Sequence, residues 1–447
     1  MSRSACGKRR GLSGSVDRDG KALTAWKFQA LGAQGMRIAV VCAPFKEGLG
    51  YQENFWAEEL ARSGHTVRVF CAGGRCSALT SLQGEEYVYD VQRVPAYELP
   101  RRVFICNRVL SQAVQDFAPD LIVWFSVEDF FGRALLRRTA TTGTPVLTCF
   151  GMNRGMHEFD WRKKGLSLSD RVHALGWQIL RGRITVKACR RSHLILVTVP
   201  QTREILHLVL PTMERQEIDR RIVEIPLGFC PRTYSWNEAT AHAARAELDL
   251  KPTDVVLGFS CRFSAARKEE RNRRTLSGIF SAMETLPQLH AILVGLGDDP
   301  VSARLRKFAH QSPVAARVRC LPFAGQERLN ELYNAVDVAI FPNASISCQA
   351  ALGTGVIVCL ADNGTMDHLI RSPSQGGFYD SNRSADLSRR LIGLADSLLQ
   401  WSPEERHARR EERADESRWL GYDRLCASVL RRVVSQSAEF ERLGVHG

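Results

Sequence analysis

Short apolar runs that alternate with helical stretches constrain the fold of this chain more than any other feature. Each run has the length and the content of β-branched residues typical of a buried strand. Glycines, prolines and polar clusters separate the runs from the helices. Strands that alternate with helices predict an α/β fold with doubly wound parallel sheets. The predicted strands are 36–42, 66–70, 87–94, 121–125, 146–150, 194–199, 222–225, 255–260, 290–294, 318–321, 337–341 and 356–360.

The length of 447 residues exceeds what one core usually supports and predicts two domains. We assign 36–230 to a first Rossmann-like domain and 231–400 to a second. Residues 401–447 are predicted to form a charged helix that returns to the first domain. Residues 1–35 are interpreted as a disordered basic tail, or as translated sequence upstream of a start at Met36.

Composition narrows the class of protein. The 13 cysteines form no C-x-x-C pair, which is typical of reduced thiols in the cytoplasm and argues against a zinc site built from them. The sequence has no apolar run of 18 residues, so no transmembrane helix is predicted. The formal charge of +13 favours anionic partners such as phosphates, nucleotides or acidic lipid.

The stretch 341–360 is predicted to be a strand end, a polar loop, a short helix and a further strand. Open α/β sheets bind ligands at the carboxyl ends of their strands. A helix that begins there, near Ser345 and Ser347, offers N–H groups and a positive dipole end to a phosphate. An ordinary βαβ unit with a capped helix explains the stretch equally well.

In the loop after the predicted strand 36–42, Gly48 and Gly50 let the backbone approach a ligand closely, although the loop lacks a G-x-G-x-x-G pattern.

Several segments resemble, in order, those of the family-4 glycosyltransferases, which have the two-domain GT-B fold. The segments are GLGYQENFWAEELARSGHTVRVF (48–70), PLGF (226–229), RAELDL (245–250), FSCRF (259–263), LVGLG (293–297), AVDVAIFP (335–342) and ADNGTMDHLI (361–370). The resemblance runs from about Met36 to Asp380. It implies two Rossmann-like domains that face a cleft, with the nucleotide-sugar donor on the second and the acceptor on the first.

The chain departs from the family pattern at three places. Gln349 occupies the second glutamate position of the E-x7-E motif, and the first glutamate has no counterpart. The short S-I-S form resembles family members involved in cell-surface polysaccharides. The family lysine is displaced: Arg267 stands at the ungapped position beside Lys268, and Arg271 fits with a small insertion. Asp367 follows Gly364 where the family has glutamate.

The resemblance implies transfer of a sugar from a nucleotide sugar with retention of configuration. Arg262, with Lys268 or Arg267, is expected to stabilise the charge of the departing diphosphate. The N–H groups near Ser345 and Ser347 are expected to add donors. Neither predicted domain contains a D-x-D pair, so we expect no catalytic metal and no cofactor besides the donor substrate.

Other residues are assigned to the sugar and to the acceptor. Gln349 and Asp367 are candidates for the ribose or sugar hydroxyls. His157 follows a predicted strand at the cleft and is a candidate contact to the transferred sugar or the acceptor, with Glu158 and Asp160 as alternatives. Three residues are predicted to line the acceptor side, namely Tyr51, Gln52 and Glu53.

Two charged segments have competing interpretations. Segment 162–191 mixes basic and apolar residues, which suits either a helix on an anionic membrane near a lipid-linked acceptor or a core-packed helix with a solvated basic face. The charge-alternating stretch after Trp401 predicts a solvated helix face with i,i+4 ion pairs.

Two rival functions remain at this point. The altered E-x7-E motif is compatible with a non-catalytic GT-B protein that binds a nucleotide or a glycan. The basic charge is compatible with nucleic-acid binding, but the sequence has no nucleic-acid motif that we recognise, so no nucleic-acid partner is predicted.

Overall fold

The computed structural model describes residues 35–46, 50–73, 80–82, 88–99, 103–106, 108–125, 131–136, 143–151, 162, 167–264, 266–343, 345–362 and 365–442. These residues form two large sheets with helices on their faces. The doubly wound α/β fold predicted from the sequence is confirmed.

The first sheet has eight strands in the order β10-β9-β8-β7-β1-β2-β4-β3, and only the short edge strand β3 runs antiparallel to its neighbour. Its strands are β1 (Arg37–Val41), β2 (Thr66–Gly73), β3 (Thr80–Leu82), β4 (Asp90–Pro95), β7 (Leu121–Phe125), β8 (Val146–Phe150), β9 (Leu194–Val197) and β10 (Ile222–Glu224). A separate hairpin joins β5 (Tyr97–Leu99) to β6 (Val103–Ile105). The central strands are buried on both faces, which explains their unbroken apolar sequences.

The second sheet has six parallel strands in the order β13-β12-β11-β14-β15-β16. They are β11 (Val255–Ser260), β12 (Leu289–Val294), β13 (Val318–Leu321), β14 (Val338–Phe341), β15 (Ile357–Ala361) and β16 (Gly376–Tyr379). This is the strand order of a dinucleotide-binding fold. The strand order therefore makes the second sheet suitable for a nucleotide.

Helices cover both sheets. They are α1 (Gln52–Arg62), α2 (Arg108–Phe117), α3 (Leu168–Gly176), α4 (Gly182–Arg191), α5 (Gln201–Val209), α6 (Thr212–Arg221), α7 (Glu238–Glu247), α8 (Glu269–Thr285), α9 (Pro300–His310), α10 (Gln326–Ala335), α11 (Ile346–Gly353), α12 (Ser384–Leu399), α13 (Pro403–Glu416) and α14 (Tyr422–Arg442). A π-helical turn, Trp177–Arg181, joins α3 to α4. Within the described residues we find no helix with the length and apolar character needed to span a bilayer.

Each sheet has one point where the direction of strand succession reverses, here called its reversal point. In the first sheet it lies at β1, which has β2 on one side and β7 on the other. In the second sheet it lies at β11, between β12 and β14. Loops diverge beyond the carboxyl ends of such strands and leave a crevice for a ligand.

The charged helix α13 is not the solvated helix that the sequence predicted. Three of its arginines, Arg406, Arg410 and Arg413, are buried against the second sheet's helices. The side chain of Arg410 donates to the carbonyl oxygens of Tyr333, Val336 and Thr354. The face of α13 that packs against the domain is therefore lined by buried arginines, although its sequence alternates in charge.

The last helix, α14, packs against α1 of the first sheet, where the rings of Tyr422 and Phe55 stack with centroids 5.1 Å apart.

Candidate active site

The two reversal points face each other, and a side-chain contact connects them. Arg262 lies two residues after β11, and Tyr51 immediately precedes α1, beyond β1. The guanidinium of Arg262 donates through Nη2 to the Tyr51 hydroxyl at 2.5 Å, and its Cζ lies 5.9 Å from the centre of the tyrosine ring. The predicted cation therefore lies in the cleft between the sheets. It is exposed, so a ligand can reach it.

Gly50 brings the first-domain backbone to within contact of the second domain. Its φ of +65° lies in the left-handed region that favours glycine. A Cβ at this position would lie 2.7 Å from the side-chain carbon Cδ of Gln326, which begins α10. The left-handed backbone therefore favours glycine here, and a side chain would displace the flexible end of Gln326. Gly48 lies outside the described residues.

The other predicted cations follow Arg262 along the chain. Lys268 ends a 3-10 turn, Ala266–Lys268, and immediately precedes α8. Burial raises the pKa of the Cys261 thiol to about 12, and the nearby charges of Lys268 and Arg271 oppose that rise. Both cations therefore lie near the end of β11. The backbone of Arg267 belongs to the same turn, and its side chain lies outside what the structure describes.

The short helix α11 begins beside the end of β14. Ser345 is its N-cap residue by backbone conformation, but its side chain makes no capping hydrogen bond. Within the described part of the chain, the buried Ser345 hydroxyl has no hydrogen-bond partner. Gln349 is only 2% exposed, and its amide nitrogen is best oriented to donate to the carbonyl oxygens of Ser345 and Ile346. The amide therefore braces the first turn of the helix rather than pointing into open space.

Tyr333, which sequence reasoning missed, connects the strand and helix of this site. Its hydroxyl lies 2.6 Å from the Ser260 hydroxyl at the end of β11, and it also bonds to the side chain of Ser347. Burial raises the pKa of Tyr333 well above its usual value. The phenol therefore stays neutral and holds α11 at the reversal point. A tyrosine near the end of a predicted helix gave no sequence signal for this role.

Two carboxylates lie beyond β15, at the same edge of the sheet. Asp362 follows the strand directly, and its backbone N–H donates to the Tyr379 carbonyl at 2.8 Å. Partial burial and the nearby charge of Asp362 raise the pKa of Asp367. This pair offers acceptors for sugar or ribose hydroxyls, and the sequence reasoning missed Asp362. Gly364 lies outside the described residues.

The first domain also contributes a carboxyl group to the cleft. Glu53, in the first turn of α1, is partly buried near the thiols of Cys42 and Cys149, and this burial raises its pKa to about 7. Gln52 also faces this region, because its side-chain oxygen lies 4.0 Å from the Cys149 sulfur. The candidates His157, Glu158 and Asp160 lie outside the described residues.

Comparison with known proteins assigns this chain to a family. The model of Glycosyltransferase Family 4 matches residues 55–228, and that of Glycosyl transferases group 1 matches residues 264–414. The chain belongs to the family-4 glycosyltransferases. The first match ends before β11, and the second begins two residues after Arg262. The two matches therefore correspond to the two sheets.

Individual relatives are more distant. A D-inositol 3-phosphate glycosyltransferase from Rhodococcus opacus (strain B4) is 30% identical over 161 residues, which are 34% of this chain and 35% of that protein. The alignment thus spans about a third of the relative. Among solved structures, a sucrose-phosphate synthase from Thermosynechococcus elongatus has a TM-score of 0.63 at 16% identity, over 90% of this chain and 100% of that one. The Anabaena protein HepE in complex with UDP has a TM-score of 0.62 at 16% identity, with the same coverage. These two likenesses establish the GT-B fold.

Proposed function

We propose that this protein is a glycosyltransferase that moves a sugar from a nucleotide sugar to a saccharide or lipid-linked acceptor. The observation that carries the proposal is the contact between Arg262 and Tyr51, because it puts an accessible cation between the two reversal points. Family membership supports the reaction class. The complex of HepE with UDP supports a nucleotide as part of the donor.

The chemistry follows from where charge develops. As the bond between sugar and diphosphate breaks, negative charge accumulates on the leaving phosphate. Arg262 can bind two phosphate oxygens at once, with Lys268 as a second cation and the first turn of α11 as a source of N–H donors. These groups would stabilise the negative charge on the leaving phosphate without a metal. Retention of configuration would let the departing phosphate take the acceptor's proton on the same face.

Thermal stabilisation by a panel of nucleotide sugars tests the donor class, because a ligand of the folded state raises the unfolding temperature. The best ligand is then titrated by calorimetry into wild type and Arg262→Ala. We expect the variant to bind at least about tenfold more weakly, as lost charge-assisted hydrogen bonds cost about 1.5–3 kcal/mol. Arg389→Ala, an exposed arginine on α12, is the matched control. Equal affinity in all three proteins would remove Arg262 from the diphosphate site.

A non-catalytic nucleotide-binding or glycan-binding protein is the second candidate, favoured by Gln349 in place of a glutamate. Its buried amide holds the first turn of α11. Comparing transfer by wild type and Gln349→Glu separates the two functions. We expect wild type to turn over, whereas transfer only by the variant would identify a degenerate site.

A membrane surface is the proposed location of the acceptor. Along α3 and the π-helical turn, five apolar side chains are exposed although basic residues flank them. They are Leu168 (80% exposed), Val172 (63%), Leu175 (40%), Ile179 (49%) and Leu180 (62%). Their positions follow a helical period, so they form a continuous apolar stripe. Such a stripe beside Arg171, Arg181 and Arg183 suits insertion among anionic lipids on the cytoplasmic face.

Vesicle sedimentation tests this location. Wild type should bind phosphatidylcholine vesicles that contain phosphatidylglycerol and bind pure phosphatidylcholine much less. The double variant Val172→Glu with Leu180→Glu should lose binding, because two charges enter the apolar stripe. Met213→Glu is the control, since Met213 is 95% exposed and lies on a different helix, α6. Unchanged binding by the double variant would contradict the proposed location.

A further inference from the structure

We propose that Glu238, His242 and His407 form a zinc site. The cluster lies at the amino-terminal edge of the second sheet, opposite the cleft. This position follows from neighbouring contacts: Arg245 pairs with Asp337, which directly precedes β14, and Arg406 reaches the carbonyl oxygen of Asp254, which precedes β11. The site is therefore separate from the diphosphate site and assigns no metal to the transfer reaction.

The three donor atoms already converge. Glu238 and His242 are one turn apart on α7, so their side chains share a face, and His407 comes from α13. One oxygen of Glu238 lies 3.0 Å from Nδ1 of His407 and 3.6 Å from Nε2 of His242. One ligand atom from each residue lies within 4.8 Å of the other two. Tetrahedral zinc, with bonds of about 2.0–2.1 Å, holds its ligands about 3.3 Å apart, so small side-chain rotations suffice.

The surroundings favour a metal over a simple hydrogen-bonded cluster. The glutamate and His242 are exposed, so an ion can enter and keep a water molecule as its fourth ligand. The neighbouring cations have other partners: Arg245 pairs with Asp337, and Arg410 donates to three carbonyl groups. The indole of Trp236 lies 5.4 Å from the His407 ring and limits its orientations. A cavity of about 200 Å³ adjoins both histidines.

The ligand set selects the class of ion. Two imidazoles and one carboxylate suit zinc and its first-row neighbours, and they suit magnesium or calcium poorly because those ions prefer oxygen ligands. Zinc here would connect α7, the first helix after the link between the sheets, to α13 near the end of the chain. Its role would be to stabilise the packing of the carboxyl-terminal helices on the second domain, because binding to the folded state raises stability.

The test uses the full chain freed of metal by a chelator. Calorimetry with zinc chloride should give one ion per chain, and the unfolding temperature should rise by several degrees at saturation. Cobalt chloride should give the visible absorption of a four-coordinate or five-coordinate cobalt ion. His242→Ala should bind zinc at least tenfold more weakly, while His310→Ala, at the exposed end of α9, should match wild type. His242→Cys should restore binding and add a thiolate-to-cobalt absorption band.

Two results would overturn the proposal. One is the absence of zinc binding and of stabilisation in wild type at millimolar zinc. The other is zinc affinity in His242→Ala equal to that of wild type, which would place the ion on other residues. His242 is exposed, and the ion pair and the ring contact that it makes are with Glu238 and His407, so the variant should fold. An unfolding temperature of metal-free His242→Ala close to that of metal-free wild type verifies that the variant folds.

Discussion

Arginines lie at both edges of the second sheet, but the two edges use them differently. At the carboxyl edge, Arg262 is exposed and its Nη2 donates across the cleft to a tyrosine hydroxyl. At the amino edge, Arg406, Arg410 and Arg413 are buried and donate to backbone carbonyl oxygens at the ends of α10, α11 and α12. In a chain with a formal charge of +13, the partner of each guanidinium decides its role. Only the first kind can exchange its partner for a phosphate.

The buried arginines act on helix dipoles. The carbonyl ends of α10, α11 and α12 carry partial negative charge and lack intrahelical donors. Guanidinium groups satisfy those carbonyls and complement the dipoles at once. Burial is the main cause that lowers the pKa of Arg410 to about 9 and that of Arg413 to about 10, although the nearby charge of Asp337 opposes both shifts. Both groups remain charged at neutral pH.

The largest expected effect comes from removing a buried arginine at the amino edge of the second sheet. Arg410→Met should lower the free energy of unfolding by about 3 kcal/mol, because it leaves buried carbonyl groups without donors. Nucleotide-sugar affinity of the folded protein should change little. Urea unfolding measures the first quantity and calorimetry the second. Arg409→Met is the matched control, since Arg409 is exposed over the Trp401 ring. Equal destabilisation by both changes would contradict the structural role of Arg410.

Glu53 extends the comparison to the first domain. Because its folded pKa of about 7 exceeds the usual 4.5, the folded state binds the extra proton between these values. The contribution of Glu53 to the stability of wild type should therefore fall as pH rises from about 4.5 to 7 and then level off. Glu53→Gln cannot ionise, so it should be more stable than wild type by about 1–3 kcal/mol above pH 7 and similar to it near pH 5.

Denaturant titrations at several pH values measure this difference. Asp367→Asn serves as the control, since Asp367 also has a raised pKa but is exposed, and it should show a much smaller difference. A difference between Glu53→Gln and wild type that does not vary with pH would mean that Glu53 is ionised throughout the range.

The smallest expected effect concerns the partner of Arg262. Tyr51→Phe removes the hydroxyl that accepts from Nη2 but keeps the ring. Because this contact is exposed, its loss should cost about 0.5 kcal/mol or less and change nucleotide-sugar affinity less than about threefold. Calorimetry on wild type, Tyr51→Phe and Arg262→Ala measures the loss of nucleotide-sugar affinity in each variant. A loss in Tyr51→Phe as large as that in Arg262→Ala would make the tyrosine, rather than the arginine, the principal contact.

Local sequence signals predicted the strands well where burial alone determines the residue types. The strands 121–125, 146–150, 255–260 and 318–321 begin and end where predicted. Strand β16 was missed because its sequence, GGFY, has little strand propensity. Gly376 has a φ of +147° there, a conformation that favours glycine. Such a backbone conformation is not visible in the local sequence.

The candidate site was predictable only in part. Arg262 could be placed because it follows a recognisable strand and matches a family motif. Tyr333 and Gln326 could not, since their positions depend on how α10 packs beside β11 and the cleft. The buried arginines of α13 were mispredicted because alternating charge has the same pattern on a solvated helix and on one whose cations meet carbonyl groups. Tertiary packing, rather than periodicity, distinguishes the two.

A crystal structure with the nucleotide sugar that stabilises the protein most tests the central claim most directly. We predict diphosphate oxygens within about 3 Å of the Arg262 guanidinium and beside the first turn of α11, with Arg410 still bound to its carbonyl groups. A nucleotide bound elsewhere, with the Arg262 guanidinium still on Tyr51 and no phosphate within reach, would contradict the account.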